Sequence, residues 1–278
     1  MSQKQHRAAF LDGAGKPLRV ASLDTKKPGP GEILVRTAAV AMNPVDYKMQ
    51  DHGIFVKNWP IVLGADVTGE VVEVGEGVTD PISVGSRVGL VAQLMQYKMN
   101  QYGGFQELVL CPASSAFVVP EDLSYEEAVV LPLALATSAA AFFQPGDTLG
   151  LDISGLQQHP PKRNGETLLI WGGSSSVGSL ATQLAVAAGY DVVVTASPRN
   201  FPVVKELGAR AAFDYNSPGV LDDIVAEFHK EGGGEFAGIL DGESARSSTW
   251  CFILWLCLTQ VVDQPSARVR PNWRQRKL

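Results

Sequence analysis

Apolar positions change their rhythm along this chain. Over the first hundred or so residues they come in short β-branched runs closed off by glycine and proline. GEILVRTAAVA (31–41) is entered through PGPG (28–31), and VTGEVVEVGEGV (67–78) alternates around Val71, Val72 and Val74 before a Gly-rich turn. VGSRVGLVA (84–92) and GGFQELVL (103–110) follow in the same style. Such runs predict strands, and many of them in succession predict a compact, barrel-like β domain. At LSYEEAVVLPLALATSAAAFF (123–143) the texture turns alanine-rich and predicts helix. Ser124 is placed to cap it, and Glu126 and Glu127 sit in the first turn, where the helix dipole favours acids. The domain boundary is expected at this segment, and the polar, breaker-rich stretch 144–166 is expected as a surface excursion.

Beyond residue 166 strands and helices alternate. TLLIW (167–171) predicts a buried strand, VGSLATQLAVAAG (177–189) a helix, and DVVVTAS (191–197) a second strand. A second helix (201–209), a third strand (211–213), a third helix (217–230) and a fourth strand (236–241) follow. This spacing is that of an α/β doubly wound parallel sheet. The expected domains are therefore 1–122, a β-barrel, and 123–248, a nucleotide-type sheet, with 249–278 as a separate apolar and basic tail.

Composition narrows the classes. With 45% hydrophobic and 19% charged residues, the 278-residue chain is no disordered polymer. A formal net charge of −6 gives no global basic field for nucleic acid, so no nucleic-acid partner is expected. The charge is unevenly spread. Residues 264–278 hold Arg268, Arg270, Arg274, Arg276 and Lys277 and no acid, which leaves −11 on the first 263 residues. Three cysteines (Cys111, Cys251, Cys257) are too few for a disulfide scaffold or a four-cysteine zinc site. The polar start MSQKQHRAAF shows no secretory signal, and WCFILWLCL (250–258) is too short to cross a bilayer as a helix, which takes about 20 residues. A cytoplasmic protein without a membrane partner is the expectation.

The strongest local signal is TLLIWGGSSSVGSLATQLA. A strand feeding a glycine-rich turn and then a helix aims backbone N–H groups at a phosphate. Against the dinucleotide fingerprint, Gly173 and Gly178 take the outer glycine places and Ser175 replaces the middle one. Two readings stand at this level: a pyrophosphate cradle, or a plain strand–helix turn in which Gly and Ser make the bend and the cap. The next strand ends in Ser197-Pro198-Arg199-Asn200, without the acid that holds the ribose of NAD. A hydroxyl and a guanidinium suit the 2′-phosphate of NADP instead, the competing reading being a solvated Arg199. Metal chemistry is not expected. His6, His52, His159 and His229 show no ligand spacing, and no cysteine precedes Cys111. Polarisation of a carbonyl then falls to hydrogen-bond donors, and NPVDYKM (43–49) offers Asp46, Tyr47 and Lys48. Lys48 reads equally as a phosphate or carbonyl ligand and as a solvent-facing lysine.

Taken together, AVAMNPVDYKM, LGADVTGEVVEVGEGV, VGSRV, GGFQELVL, LSYEEAVVLPLALATSAAAF and WGGSSSVGS resemble the zinc-independent branch of the medium-chain dehydrogenase/reductase superfamily. TASPRNFPVVKELGARAAFDYNSP is similar to the fungal trans-acting enoyl reductases that serve polyketide synthases. The resemblance runs from about residue 7 to about residue 252. It implies a GroES-like catalytic domain beside a Rossmann domain. It also implies NADPH on Val45, Asp46, Tyr47 and Lys48, on Ser174, Ser175, Ser176 and Val177, on Ser197, Pro198, Arg199 and Asn200, and on Tyr215 near the adenine. Thr137, Ser138, Ala139, Ala140, Ala141, Phe142, Phe143 and Gln144 would line the substrate channel, with Lys48 and Thr137 as catalytic hydrogen-bond donors.

The implied reaction is reduction of the α,β-double bond of a polyketide thioester held on an acyl carrier domain, the partner being the synthase, by a monomer. Rivals are a quinone-oxidoreductase-like reductase of small enones and a non-catalytic remnant. The remnant reading arises after GILDGESARSSTWCF, where ILWLCLTQVVDQPSARVRPNWRQRKL departs from the family and makes the Rossmann sheet incomplete. The expectation there is a frameshift, a retained intron or a mispredicted gene end, the alternative being a genuine basic tail for an acidic carrier protein.

Overall fold

Apolar side chains two residues apart share a face of a strand, and that periodicity builds the first sheet. The computed structural model describes residues 4–144, 148–158, 160–230 and 232–242. It divides into two compact units, Met1–Leu133 and Ala134–Leu278. In the first, β3 (Glu32–Ala41), β5 (Asp66–Val74), β6 (Arg87–Val91), β7 (Leu108–Pro112) and β8 (Ala116–Val118) form an antiparallel sheet in the order β7-β3-β5-β6-β8. Ile33 and Val35, Val67 and Val71, Val88 and Leu90, Val109 and Cys111 point to one side and make its core. Each such buried Val, Leu or Ile contributes about 1.5–3 kcal/mol of transfer free energy. A second sheet pairs β2 (Leu18–Asp24), β1 (Gln5–Leu11) and the two-residue β4 (Ile61–Val62). These three, and β8, carry too short or too polar a pattern to be read individually from the sequence. The strand expected over 103–110 begins only at Leu108, because Gly103 and Gly104 pack their backbones against Val62 and Gly64.

The helix expected over 123–143 is two helices, α3 (Tyr125–Ala128) and α4 (Pro132–Phe143). Pro132 has no N–H to continue α3, and its ring disfavours helical backbone at Leu131. Ser124 does cap α3, accepting the Glu127 N–H while the Glu127 carboxylate takes the Ser124 N–H. The first unit also holds this segment. Arg87 donates to the carbonyls of Pro120, Glu121 and Leu123, and its guanidinium lies 4.6 Å from the centre of the Tyr125 ring. The Thr68 hydroxyl donates to the Tyr125 carbonyl. The units consequently divide after Leu133, eleven residues beyond the boundary drawn at 122/123 from composition.

In the second unit β9 (Glu166–Trp171), β10 (Asp191–Thr195), β11 (Ala211–Phe213) and β12 (Glu235–Asp241) run parallel in the order β11-β10-β9-β12. The strands are apolar on both faces because both faces are covered. Leu168, Ile170, Val192 and Val194 pack with Ala181 and Ala185 of α5 (Ser176–Ala187), Val204 of α6 (Phe201–Glu206) and Phe142 of α4. Leu169, Trp171, Val193 and Ile239 pack with Val220, Ile224 and Phe228 of α7 (Val220–His229). The stretch 144–166 is more than a surface excursion. Leu149, Leu151 and Leu156 pack on the first of these cores, and the Tyr190 hydroxyl accepts the Asp152 N–H. The tail 249–278, with Cys251 and Cys257, and His159 lie outside the described residues.

Two outcomes follow. A Cβ at Gly69 would lie 2.0 Å from the Arg36 carbonyl oxygen, beside an irregularity in the β3–β5 pairing. Gly69→Ala is expected to cost about 2 kcal/mol or more, read from the urea midpoint. Burial and the Glu32 charge push the Cys111 thiol from 9.0 up to about 12. The folded chain keeps this proton where the unfolded chain has lost it. Stability tied to it is complete below pH 9 and is lost as pH climbs towards 12. At pH 8, peptide mapping should find Cys111 unreactive to iodoacetamide until urea unfolds the chain.

Candidate active site

The second unit gathers its candidate residues at the carboxyl ends of β9, β10 and β11, where open parallel sheets bind ligands. Between β9 and α5 the chain must reverse within a few residues. Gly172 adopts φ +80°, a region glycine enters without steric cost. A Cβ at Gly178 would lie 2.1 Å from the Gly172 carbonyl oxygen, and one at Gly173 would lie 2.6 Å from Cβ of Val194. Ser175, in the middle fingerprint place, has extended backbone (φ −71°, ψ 166°) and tolerates its side chain without strain. Its hydroxyl caps α5 by accepting the Gly178 N–H and donates to the Gly242 carbonyl. The first turn of α5 carries no acid, whereas that of α7 carries Asp222 and Asp223, so no carboxylate of its own opposes an anion at the positive end of α5.

Two hydrogen bonds join the predicted residues across three loops. Asn200 Nδ2 donates to Ser174 Oγ at 3.0 Å, and the Ser197 and Tyr215 hydroxyls are 2.7 Å apart. Pro198 and Arg199 are exposed in the short 3-10 turn between them, and Ser176 is exposed at the start of α5. One residue that holds the turn was not singled out from the sequence. Thr195 ends β10, is fully buried, and its Oγ1 accepts the Gly172 N–H at 3.0 Å while its carbonyl accepts the Gly173 N–H at 2.8 Å. Its signal was a lone hydroxyl closing the apolar run DVVVT.

In the first unit the motif NPVDYKM forms α1 (Pro44–His52), with Asn43 as N-cap and Pro44 opening the first turn. Tyr47 is exposed and Lys48 half-buried, both available to a ligand. Val45 and Asp46, also expected in the cofactor set, have partners within the first unit. Val45 packs beside Met49, Leu11, Leu63 and Leu94, an apolar cluster that holds α1 down. Asp46 is 3% exposed, and its carboxylate accepts the N–H groups of Asn43 (2.8 Å) and Gly64 (3.2 Å). Asp66, also 3% exposed, accepts from Asn43 Nδ2 (2.8 Å) and from the Leu133 N–H (2.6 Å). Burial pushes both acids above the ordinary carboxylate range, against the pull of those donors. Each therefore withdraws stability as pH rises from its ordinary pKa through the raised one. Asp66 was not singled out from the sequence, where it stands as the one acid inside the apolar stretch IVLGADVTG.

Along α4 the expected channel set also divides. Thr137 and Gln144 are exposed, and Ala139 and Ala140 are half-buried. Ser138 is wholly buried, its hydroxyl bonded to the carbonyls of Ala134 and Val177. Ala141, Phe142 and Phe143 pack into the core of the second unit. These four side chains hold the helix in place. Among the described residues no three His, Cys, Asp or Glu side chains are grouped to share a metal ion.

A β-sheet unit followed by a parallel sheet in this strand order, with a phosphate-type turn after its first strand, is the construction of a medium-chain dehydrogenase/reductase. The chain belongs to that superfamily, in the group that holds fungal dehydrogenases and trans-enoyl reductases. Residues 29–121 match the model of the alcohol dehydrogenase GroES-like domain. The chain is 46% identical to dehydrogenase pigH of Monascus ruber over 80% of its own length and 61% of pigH. It is 38% identical to trans-enoyl reductase tazE of Aspergillus terreus over 82% of its length and 74% of tazE. It spans about three fifths of the length of the first curated relatives it matches. Among solved structures, mycobacterial Rv1454c complexed with NADPH is similar at 27% identity and a TM-score of 0.62, over 88% of this chain and 69% of that one.

Thr195→Val keeps the shape of the side chain and strands the buried Gly172 N–H. It should cost about 1–3 kcal/mol in urea unfolding, with the loss centred on the turn that precedes α5.

Proposed function

We propose that this chain is an NADPH-dependent, zinc-independent reductase acting in trans on the α,β-double bond of a thioester carried by the acyl carrier domain of a polyketide synthase. The observation that carries the cofactor is the end of β10. It presents Ser197, Arg199 and Asn200 and no acid, and it is tied by hydrogen bonds to Ser174 on one side and Tyr215 on the other. That set matches a 2′-phosphate better than a ribose diol, because guanidinium and hydroxyl donate where a carboxylate would repel. The turn fits a pyrophosphate for the reason its glycines are glycines: the backbone lies where a Cβ would collide. Similarity to the trans-enoyl reductases supports the substrate class.

When bound, NADPH supplies a hydride, which goes to the β-carbon of the substrate. Ser174, Ser175, Ser176 and Val177, at the start of α5, would hold the pyrophosphate. Ser197, Arg199 and Asn200 would hold the 2′-phosphate, and Tyr215 would face the adenine. In the first unit Lys48, and in the second Thr137, are the hydrogen-bond donors for the negative charge that grows on the thioester oxygen as the β-carbon is reduced. A proton from solvent at the α-carbon completes the saturated thioester.

Thermal melts with NADPH and NADH test the cofactor. At a hundredfold excess over Kd, NADPH should stabilise the chain by about 2.7 kcal/mol and NADH by far less. Arg199→Ala should weaken NADPH about tenfold, the worth of one charge-assisted hydrogen bond, and leave NADH unchanged. NADPH oxidation with crotonyl thioester on an acyl carrier protein, compared with a free small enone, then tests the substrate. Turnover of the enone alone would replace the carrier-bound reading with that of a small-enone reductase.

A further inference from the structure

We infer that Asp66 is a positioning residue for this reduction: its buried carboxylate ties the N-cap of the helix that carries Lys48 to the Leu133 N–H, at the end of the first unit. The inference rests on the proposed reaction for its consequence and on geometry for its substance.

Asp66 opens β5, and each of its oxygens has its own donor, Asn43 Nδ2 at 2.8 Å and the Leu133 N–H at 2.6 Å. The Asn43 contact is unusual. An asparagine at an N-cap ordinarily turns its side-chain oxygen onto the N–H of the second or third helical residue. Here its amide reaches out to Asp66 as well, and Asp46 takes the Asn43 N–H. The other donor is equally particular. Pro132 opens α4 without an N–H, so Leu133 supplies the first backbone donor of that helix, one with no acceptor inside it. A carboxylate there also favours the helix dipole. Thr137 follows four residues along the same helix, and Lys48 five residues after Asn43.

Two N–H donors converging on one group require two acceptors, which a carboxylate has and an amide does not. Asp66→Asn therefore sets N–H against N–H on the Asn43 side as long as Asn43 keeps the orientation in which its amide also donates to the Ala41 carbonyl. Exchanging the polarity of the pair undoes this. In the double variant Asn43→Asp/Asp66→Asn, the new amide at 66 donates to the new carboxylate at 43 and keeps its oxygen for Leu133. Aspartate is as good an N-cap as asparagine.

Exchange of the Leu133 amide, followed by NMR, reads the positioning without reference to activity. The kcat for crotonyl thioester with NADPH reads its consequence. Asp66→Asn should speed Leu133 exchange and lower kcat about tenfold or more; the double variant should restore both. Unchanged Leu133 exchange in Asp66→Asn overturns the positioning whatever the activity. Unchanged kcat with faster exchange, or a double variant that regains protection but not kcat, overturns the catalytic consequence. A wild-type chain that binds NADPH and reduces neither thioester nor enone overturns the proposed reaction, and the consequence with it, while the exchange result still decides whether Asp66 holds the Leu133 N–H.

Discussion

Where β9 becomes α5, backbone runs against backbone with no room for a side chain, and the nucleotide half of this protein depends on that contact. Gly178 meets the Gly172 carbonyl and Gly173 meets Val194, while Thr195 takes both N–H groups that the turn offers to β10. The approach brings the start of α5 to the end of the strand, which is what lets a helix terminus act as an anion site. Losing one acceptor there leaves a buried N–H at a cost of about 1–3 kcal/mol, a large share of a domain's total stability of about 5–15 kcal/mol. Ser175, between the glycines, then serves the cap without having to make the bend.

The first unit places its chemistry by a different device. Its sheet core is apolar and period-two, but beside it lie two carboxylates, Asp46 and Asp66, held by neutral N–H donors. Desolvation works against them, as the upward displacement of both pKa values shows. Hydrogen bonding offsets that cost, and the gain is orientation: α1 is fixed at its N-cap by polar bonds and at Met49 by the apolar cluster. A helix pinned at both levels presents Tyr47 and Lys48 on a defined face.

Much of this was legible in the residues. The alternation of β3 and β5, the buried runs of β9 and β10, the order of strands and helices after residue 166 and the Ser124 cap all follow from local pattern. In the candidate site, the residues at the end of β10 could be picked out from their composition, and the structure joins them by hydrogen bonds to Ser174 and Tyr215. The site was not legible where the same residue type serves two purposes. Asp46 sits in the motif yet faces inward, Ser138 and Phe142 sit in the expected channel segment yet belong to the core, and Thr195 and Asp66 act through partners 23 residues away.

The sequence by itself determined the class of fold, because periodicity and turn residues are local properties. Only the tertiary structure decided which polar groups face a ligand and which face the protein. That choice rests on hydrogen-bond partners brought from distant strands and on whether a neighbouring backbone leaves room for a side chain, and neither is written in the spacing of residues along the chain.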